Sequence, residues 1–174
     1  MAVDPRDKLW ESAFDTYYAS YYQELFADNL VSAWRNIDYI TKLLVAFTAT
    51  GSVATGWVLW NTSFGQIAWT IIAGVAAIIA IVHSTLGVPA KLNDWIEAKQ
   101  TFTELRVDLE TFRHQMGIDS QFPLVEFKQR FNDYRVRYGN GMRHIQNDLF
   151  RTGRKASKIQ SQVDIYLENI MVKE

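Results

Sequence analysis

The sequence has no cysteine. That excludes disulfides, thiolate metal sites and a cysteine nucleophile. Its three histidines, His83, His114 and His144, stand far apart and fit no metal-ligand spacing. There is no Walker-type phosphate loop, no strand–turn–helix glycine fingerprint and no Gly-x-Ser-x-Gly elbow. Glu97, Glu104 and Asp108 fall one or two helical turns apart and read as solvated charges. An enzyme is therefore not expected, and no cofactor is implied. The start, Met1-Ala2-Val3-Asp4-Pro5, has no apolar run behind it and does not read as a secretory signal. Proline is scarce: of the only three, Pro5 and Pro123 stand where a helix is expected to open and Pro89 punctuates the exit from an apolar run.

The largest deficit is charge. From Leu43 to Ala90, 48 residues pass without one Asp, Glu, Lys or Arg. That is too long for one membrane span and suits two. The spans are expected at about 38–60 and 64–88, with Asn61-Thr62-Ser63 as an uncharged turn. So short a turn makes them antiparallel neighbours with both termini on one side. Trp57, Trp60, Phe64 and Trp69 crowd the turn, and Trp34 and Tyr39 mark the other end, as two aromatic belts. Tyr39 to Trp57 spans about 27 Å as a helix, close to a hydrocarbon core of about 30 Å. Arg35, Lys42, Lys91 and Lys99 flank the spans and the turn has no basic residue, which places both termini in the cytoplasm. The competing reading, a helical hairpin buried in a soluble protein, needs more apolar cover than the remaining residues offer.

Within the first span, Thr41, Thr48, Ser52 and Thr55 recur at helical spacing. The stripe reads either as close helix packing or as the lining of a water-filled path in an oligomer. His83 is the only ionisable side chain in the charge-free block. It reads as an interfacial group or as a gating, proton-sensing one.

The flanks predict amphipathic helices. Asp4-Pro5 opens the first, rich in tyrosine to about Phe26, with an interruption at Asp28-Asn29. Trp95, Ala98, Phe102, Leu105, Leu109, Phe112 and Met116 alternate steps of three and four, a heptad seam ended by Gly117. Of these, Trp95, Phe102, Leu105, Leu109 and Phe112 are the candidate oligomerisation residues. Leu124, Phe127, Phe131, Tyr134 and Tyr138 repeat the rhythm up to an expected turn at Gly139-Asn140-Gly141. A short helix with Met142, Ile145 and Leu149, ended near Gly153, and a last one with Ile159, Val163, Tyr166 and Ile170 complete the set. The stripes predict one helical bundle, closed within a subunit or between subunits. The fold class expected is an all-α membrane protein: N-terminal helices over 1–37, a two-span hairpin over 38–88, and a C-terminal helical region over 89–174, oligomeric.

The net charge of −1 hides a division. Residues 1–42 carry −3, residues 91–127 carry −3, residues 128–158 carry +7 and residues 159–174 carry −2. The basic stretch holds Arg135, Arg137, Arg143, His144, Arg151, Arg154 and Lys155, with Tyr134 and Tyr138 interleaved. Arginine in such excess suits bidentate phosphate contacts. Three readings stand: anionic lipid headgroups, a nucleotide or oligonucleotide ligand, or pairing with the acidic segments.

Trp34 to Lys42 entering a hairpin, the turn at Asn61-Thr62-Ser63, and Leu86 to Met116 leaving it form a pattern that resembles the SLATT type of two-transmembrane effector. The likeness covers roughly residues 5–116 and is one of architecture. It implies a protein of the bacterial inner membrane acting in nucleotide-signalling antiphage systems, CBASS-like or Hailong-like. Such a protein would form a pore that opens on a nucleotide-type signal made by a nucleotidyltransferase partner, and would arrest or kill the infected cell. It further implies a homo-oligomer, with residues 117–174 as a sensing extension; a tetramer is taken because many small channels are built that way. The alternative is a membrane-anchored scaffold that docks a partner protein through its helices.

Overall fold

The computed structural model describes residues 4–54, 62–143 and 148–171. The protein is all-α, with five helices among the described residues: α1 Pro5–Ala54, α2 Ser63–Thr85, α3 Val88–Ile118, α4 Leu124–Arg143 and α5 Gly153–Met171. They form two compact units, one of Met1–Leu30 with Asp94–Glu174, the other of Val31–Asn93. The residues expected as separate N-terminal and C-terminal regions thus largely share one unit.

In the first unit, α1 opens as expected. The Asp4 carboxylate accepts from the Arg6 amide at 2.8 Å, and Pro5 takes the first helical position. The expected interruption at Asp28-Asn29 does not occur. Asn29 turns its side-chain amide onto the Leu25 carbonyl at 3.0 Å, and Asp28 binds Lys99, so the helix runs through. The seam on α3 is filled within the chain. Trp95, Phe102, Leu105, Leu109 and Phe112 are all buried. Asp28–Lys99 and Glu24–Arg106 order α1 antiparallel to α3, while Phe112 against Phe127 and Phe131, and Phe102 against Tyr138, order α3 antiparallel to α4. Of the two ways to close this stripe, the fold uses the intramolecular one. These five residues are core, not surface that a second copy could grip. Ile159, Val163 and Leu167 bury the matching face of α5.

The expected turn at Gly139-Asn140-Gly141 is helical, because α4 continues to Arg143. A Cβ on Gly141 would stand 2.9 Å from Phe102 Cζ, so the glycine is there for close approach to α3 rather than for a turn. Met142 accordingly belongs to α4, Ile145 lies outside the described residues, and Leu149 is exposed in a turn. Gly153, expected to end a helix, begins α5 instead.

Tyr17 is buried in the core of this unit, and Tyr18, Tyr21, Tyr134 and Tyr138 are partly covered. Burial raises Tyr17, Tyr18, Tyr21, Tyr134 and Tyr138 above their ordinary 10.0, and Tyr18, which also donates to Asp164, reaches about 12. Below pH 10 both folded and unfolded chains keep these protons, so the shifts contribute nothing. Above it the unfolded chain releases them and the folded chain does not, so stability falls as pH rises. Far-ultraviolet circular dichroism and tyrosinate absorbance are expected to change together in one transition above pH 10. These phenols titrating at their ordinary value with the helices intact is the contrary result.

In the second unit, α2 is the one helix among the described residues long and apolar enough to cross a membrane. Thr62 caps it, its hydroxyl accepting from the Gly65 amide at 3.1 Å. Gly87, at φ 59°, separates α2 from α3 in the left-handed region that glycine tolerates. Only Gly65 and Ala76 of α2 are buried, while Phe64, Ile67, Ile71, Ile78 and Ile81 lie open. On α1, Tyr39, Ile40, Leu43 and Phe47 are open as well. Trp34, expected in an aromatic belt, is instead buried. Trp57, Trp60 and Asn61 lie outside the described residues.

Candidate functional site

Two places within the units carry the chemistry that the sequence points to. The first is in the hairpin unit. His83 Nε2 stands 3.2 Å from Asp38 Oδ1, and the other carboxylate oxygen accepts from Lys42 Nζ at 2.6 Å. The His83 and Asp38 side chains are 17% and 13% exposed, so the pair is largely withdrawn from solvent. It joins α1 to α2. The partner of His83 is absent from the sequence reading, although the signal exists: in an antiparallel hairpin centred near Asn61, positions 38 and 83 fall level. A low surrounding dielectric strengthens such a pair and makes loss of one member costly.

The hydroxyl stripe is only partly visible. Thr41 is buried. Thr48 gives its hydroxyl to the Leu44 and Val45 carbonyls at 3.0 and 2.9 Å, the packing use of a threonine one turn along. It borders an apolar groove of about 230 Å³ with Leu44 and Phe47 of α1 and Ile71, Ile72 and Val75 of α2. The Ser52 side chain, and Thr55 altogether, lie outside the described residues.

The second place is the basic stretch in the bundle unit, and the structure sorts its members. Arg137 holds Asp108 at 2.5 Å and Glu104 at 3.8 Å, both on α3. Arg130 pairs with Glu126 on its own helix. Arg151 lies over the Phe26 ring at 5.5 Å and Lys155 over Phe150 at 5.4 Å. Arg143 and Arg154 are exposed at the end of α4 and the start of α5. Arg135 is exposed beside a groove with Asp15 and Tyr138. His144 lies outside the described residues. Part of the +7 is thus internal ion pairing with the acidic segment, while Arg135, Arg143, Arg151 and Arg154 are exposed, as are Lys128, Arg130 and Lys158.

The sequence reading also missed Arg106. Burial, the strongest single influence, pulls its pKa down, yet the hydrogen bond and charge of Glu24 at 2.6 Å outweigh it and the net shift is upward. It is a structural tie between α1 and α3. No cluster of three metal-ligating side chains occurs among the described residues.

Comparison of the chain with protein families, curated proteins and solved structures finds no match.

Proposed function

We propose that the chain is a membrane effector of the bacterial inner membrane, with both termini in the cytoplasm. In this reading the hairpin inserts as two spans, copies of the chain assemble, as a tetramer in the simplest case, and the assembly conducts ions. The observation that carries the membrane assignment is the open apolar surface of α2 and of the Tyr39–Phe47 stretch of α1. Water penalises such a surface by about 25 cal/mol for every Å², while lipid does not.

One hairpin encloses no path, so conduction requires assembly. The Asp38–His83–Lys42 cluster supplies the polar element at one end of the spans, where ionisable groups mark ion or proton pathways by default. A phosphate-bearing signal would act on the surface arginines Arg135, Arg143 and Arg154. It gates the assembly only by binding one arrangement of the helices better than the other. The biological outcome would be membrane disruption and growth arrest during phage infection.

Purified protein in liposomes tests this. Ion flux from a confirmed oligomer, altered by a nucleotide-type ligand, is the expected result. A confirmed oligomer that carries no flux under any salt or ligand condition overturns it.

The alternative is a membrane-anchored scaffold. Thr48 favours it, because a hydroxyl bonded to its own helix is not offered to a path. Exchange of the hairpin for an unrelated anchor separates the two: retained function supports the scaffold, and lost function supports conduction.

A further inference from the structure

We propose that the bundle carries a small-ligand site between α1 and α3 for a planar organic anion, with Arg113 as its cation and Trp10 as its stacking wall. Its lining residues belong neither to the basic stretch nor to the hairpin.

The guanidinium of Arg113 lies over three rings of α1, 4.7 Å from the Phe14 centroid, 5.1 Å from Trp10 and 5.3 Å from Tyr17. Ring faces attract a cation but hold no lone pair for its N–H groups. Among the described residues no carboxylate comes within ion-pair distance of Arg113, and its buried Nε has no acceptor. Arg106, two turns earlier on the same helix, shows what saturation looks like: it holds both Glu24 and Glu110. Arg113 is thus a half-buried cation with rings around it and no anion.

Beside it opens a cavity of about 240 Å³, lined by Trp10, Tyr17, Glu110, Arg113, His114 and Ile118. Trp10 remains 40% exposed, and the Phe14 ring lies nearly parallel to it, with centroids 5.9 Å apart and planes 9° off. Glu110, already engaged by Arg106, adds an acceptor at the rim. The volume is below the usual range of about 300–1,000 Å³ for drug-sized ligands. It suits one flat ring system that stacks on Trp10 and places an oxyanion on Arg113, with His114 as a second donor. A carboxylate and a phosphate ester share that chemistry.

Calorimetry on the full chain in detergent distinguishes them, with benzoate and adenosine monophosphate as ring-bearing anions, inorganic phosphate as the ring-free control and benzamide as the uncharged one. One or both ring-bearing anions are expected to bind, and the tighter identifies carboxylate or phosphate. Both controls are expected to bind at least about tenfold more weakly, as are the same anions to Arg113→Gln. Trp10→Leu keeps the cation and removes the wall, and is expected to lose binding with helix content unchanged. It carries the test if Arg113→Gln does not fold. The proposal is overturned if neither anion binds, if a control matches the ring-bearing anions, or if Trp10→Leu binds as the parent does.

Discussion

Ile78→Asp is expected to remove the chain from the membrane. Ile78 lies open, well inside α2, and outside the groove against α1. An aspartate at the centre of a span costs roughly 2.5–3.5 kcal/mol on insertion scales, and the lost isoleucine adds a few tenths more. On a water-facing helix the same change would cost almost nothing, since exposed substitutions usually stay within about 0.5 kcal/mol. Val136→Asp, on an open position of α4, is the matched control. Fractionation with alkaline extraction reads the outcome. The parent and Val136→Asp should stay in the membrane pellet, and Ile78→Asp should leave it or be degraded. If Ile78→Asp remains in the pellet as the parent does, or if the parent itself is soluble, the two-span reading is wrong.

The second large effect is expected from Phe112→Ala. The ring is 1% exposed and meets Phe127 at 5.1 Å, Phe131 at 6.4 Å and Tyr134 at 5.4 Å. Truncation of a buried phenylalanine costs about 3–5 kcal/mol, through lost transfer energy and the cavity left behind. That is a large share of the roughly 5–15 kcal/mol that holds an ordinary domain together. The melting temperature of the bundle should fall by an amount independent of protein concentration, because every partner of Phe112 named here is in its own chain. A folded monomer in place of an oligomer, with unchanged melting, would return this residue to a subunit seam.

These two positions also show what the sequence could and could not convey. Spacing alone identified the α3 stripe from Trp95 to Met116, since a period of three and four has one physical meaning, a buried helix face. It did not identify the partner. A stripe facing its own chain and one facing another copy are written in the same residues, and the tertiary contacts decide between them, among them Asp28–Lys99, Glu24–Arg106 and Phe112 against Phe127. Local signals misled in three places. Asp28-Asn29 resembles a break but is held helical by its bonds to Leu25 and Lys99. Gly139 and Gly141 resemble a turn, yet Gly141 lets α3 approach. Gly153 resembles a stop and is a start. The first two outcomes involve neighbours on α3, Lys99 and Phe102, that no local window of sequence contains. For the site, the basic stretch was legible as a sum of charges. Its division into the paired Arg137 and the exposed Arg135 was not, because two residues along a helix change the face by more than half a turn.

The inner face of α2 carries a consequence for how this chain can vary. Gly65 and Ala76 are its only buried residues, and both are small. If the hairpin spans a bilayer as proposed, the outer face is held only to a requirement of hydropathy, and isoleucine, leucine, valine and phenylalanine are interchangeable there at little cost. Ala76 is itself buried in the wall of the groove against α1, so a larger side chain there has to fit among Leu44, Thr48 and Ile72. A library randomised across α2 should accordingly return a nearly silent outer surface and a single narrow column of intolerance through 65 and 76. That column would be the part of the helix that substitution is least free to rewrite.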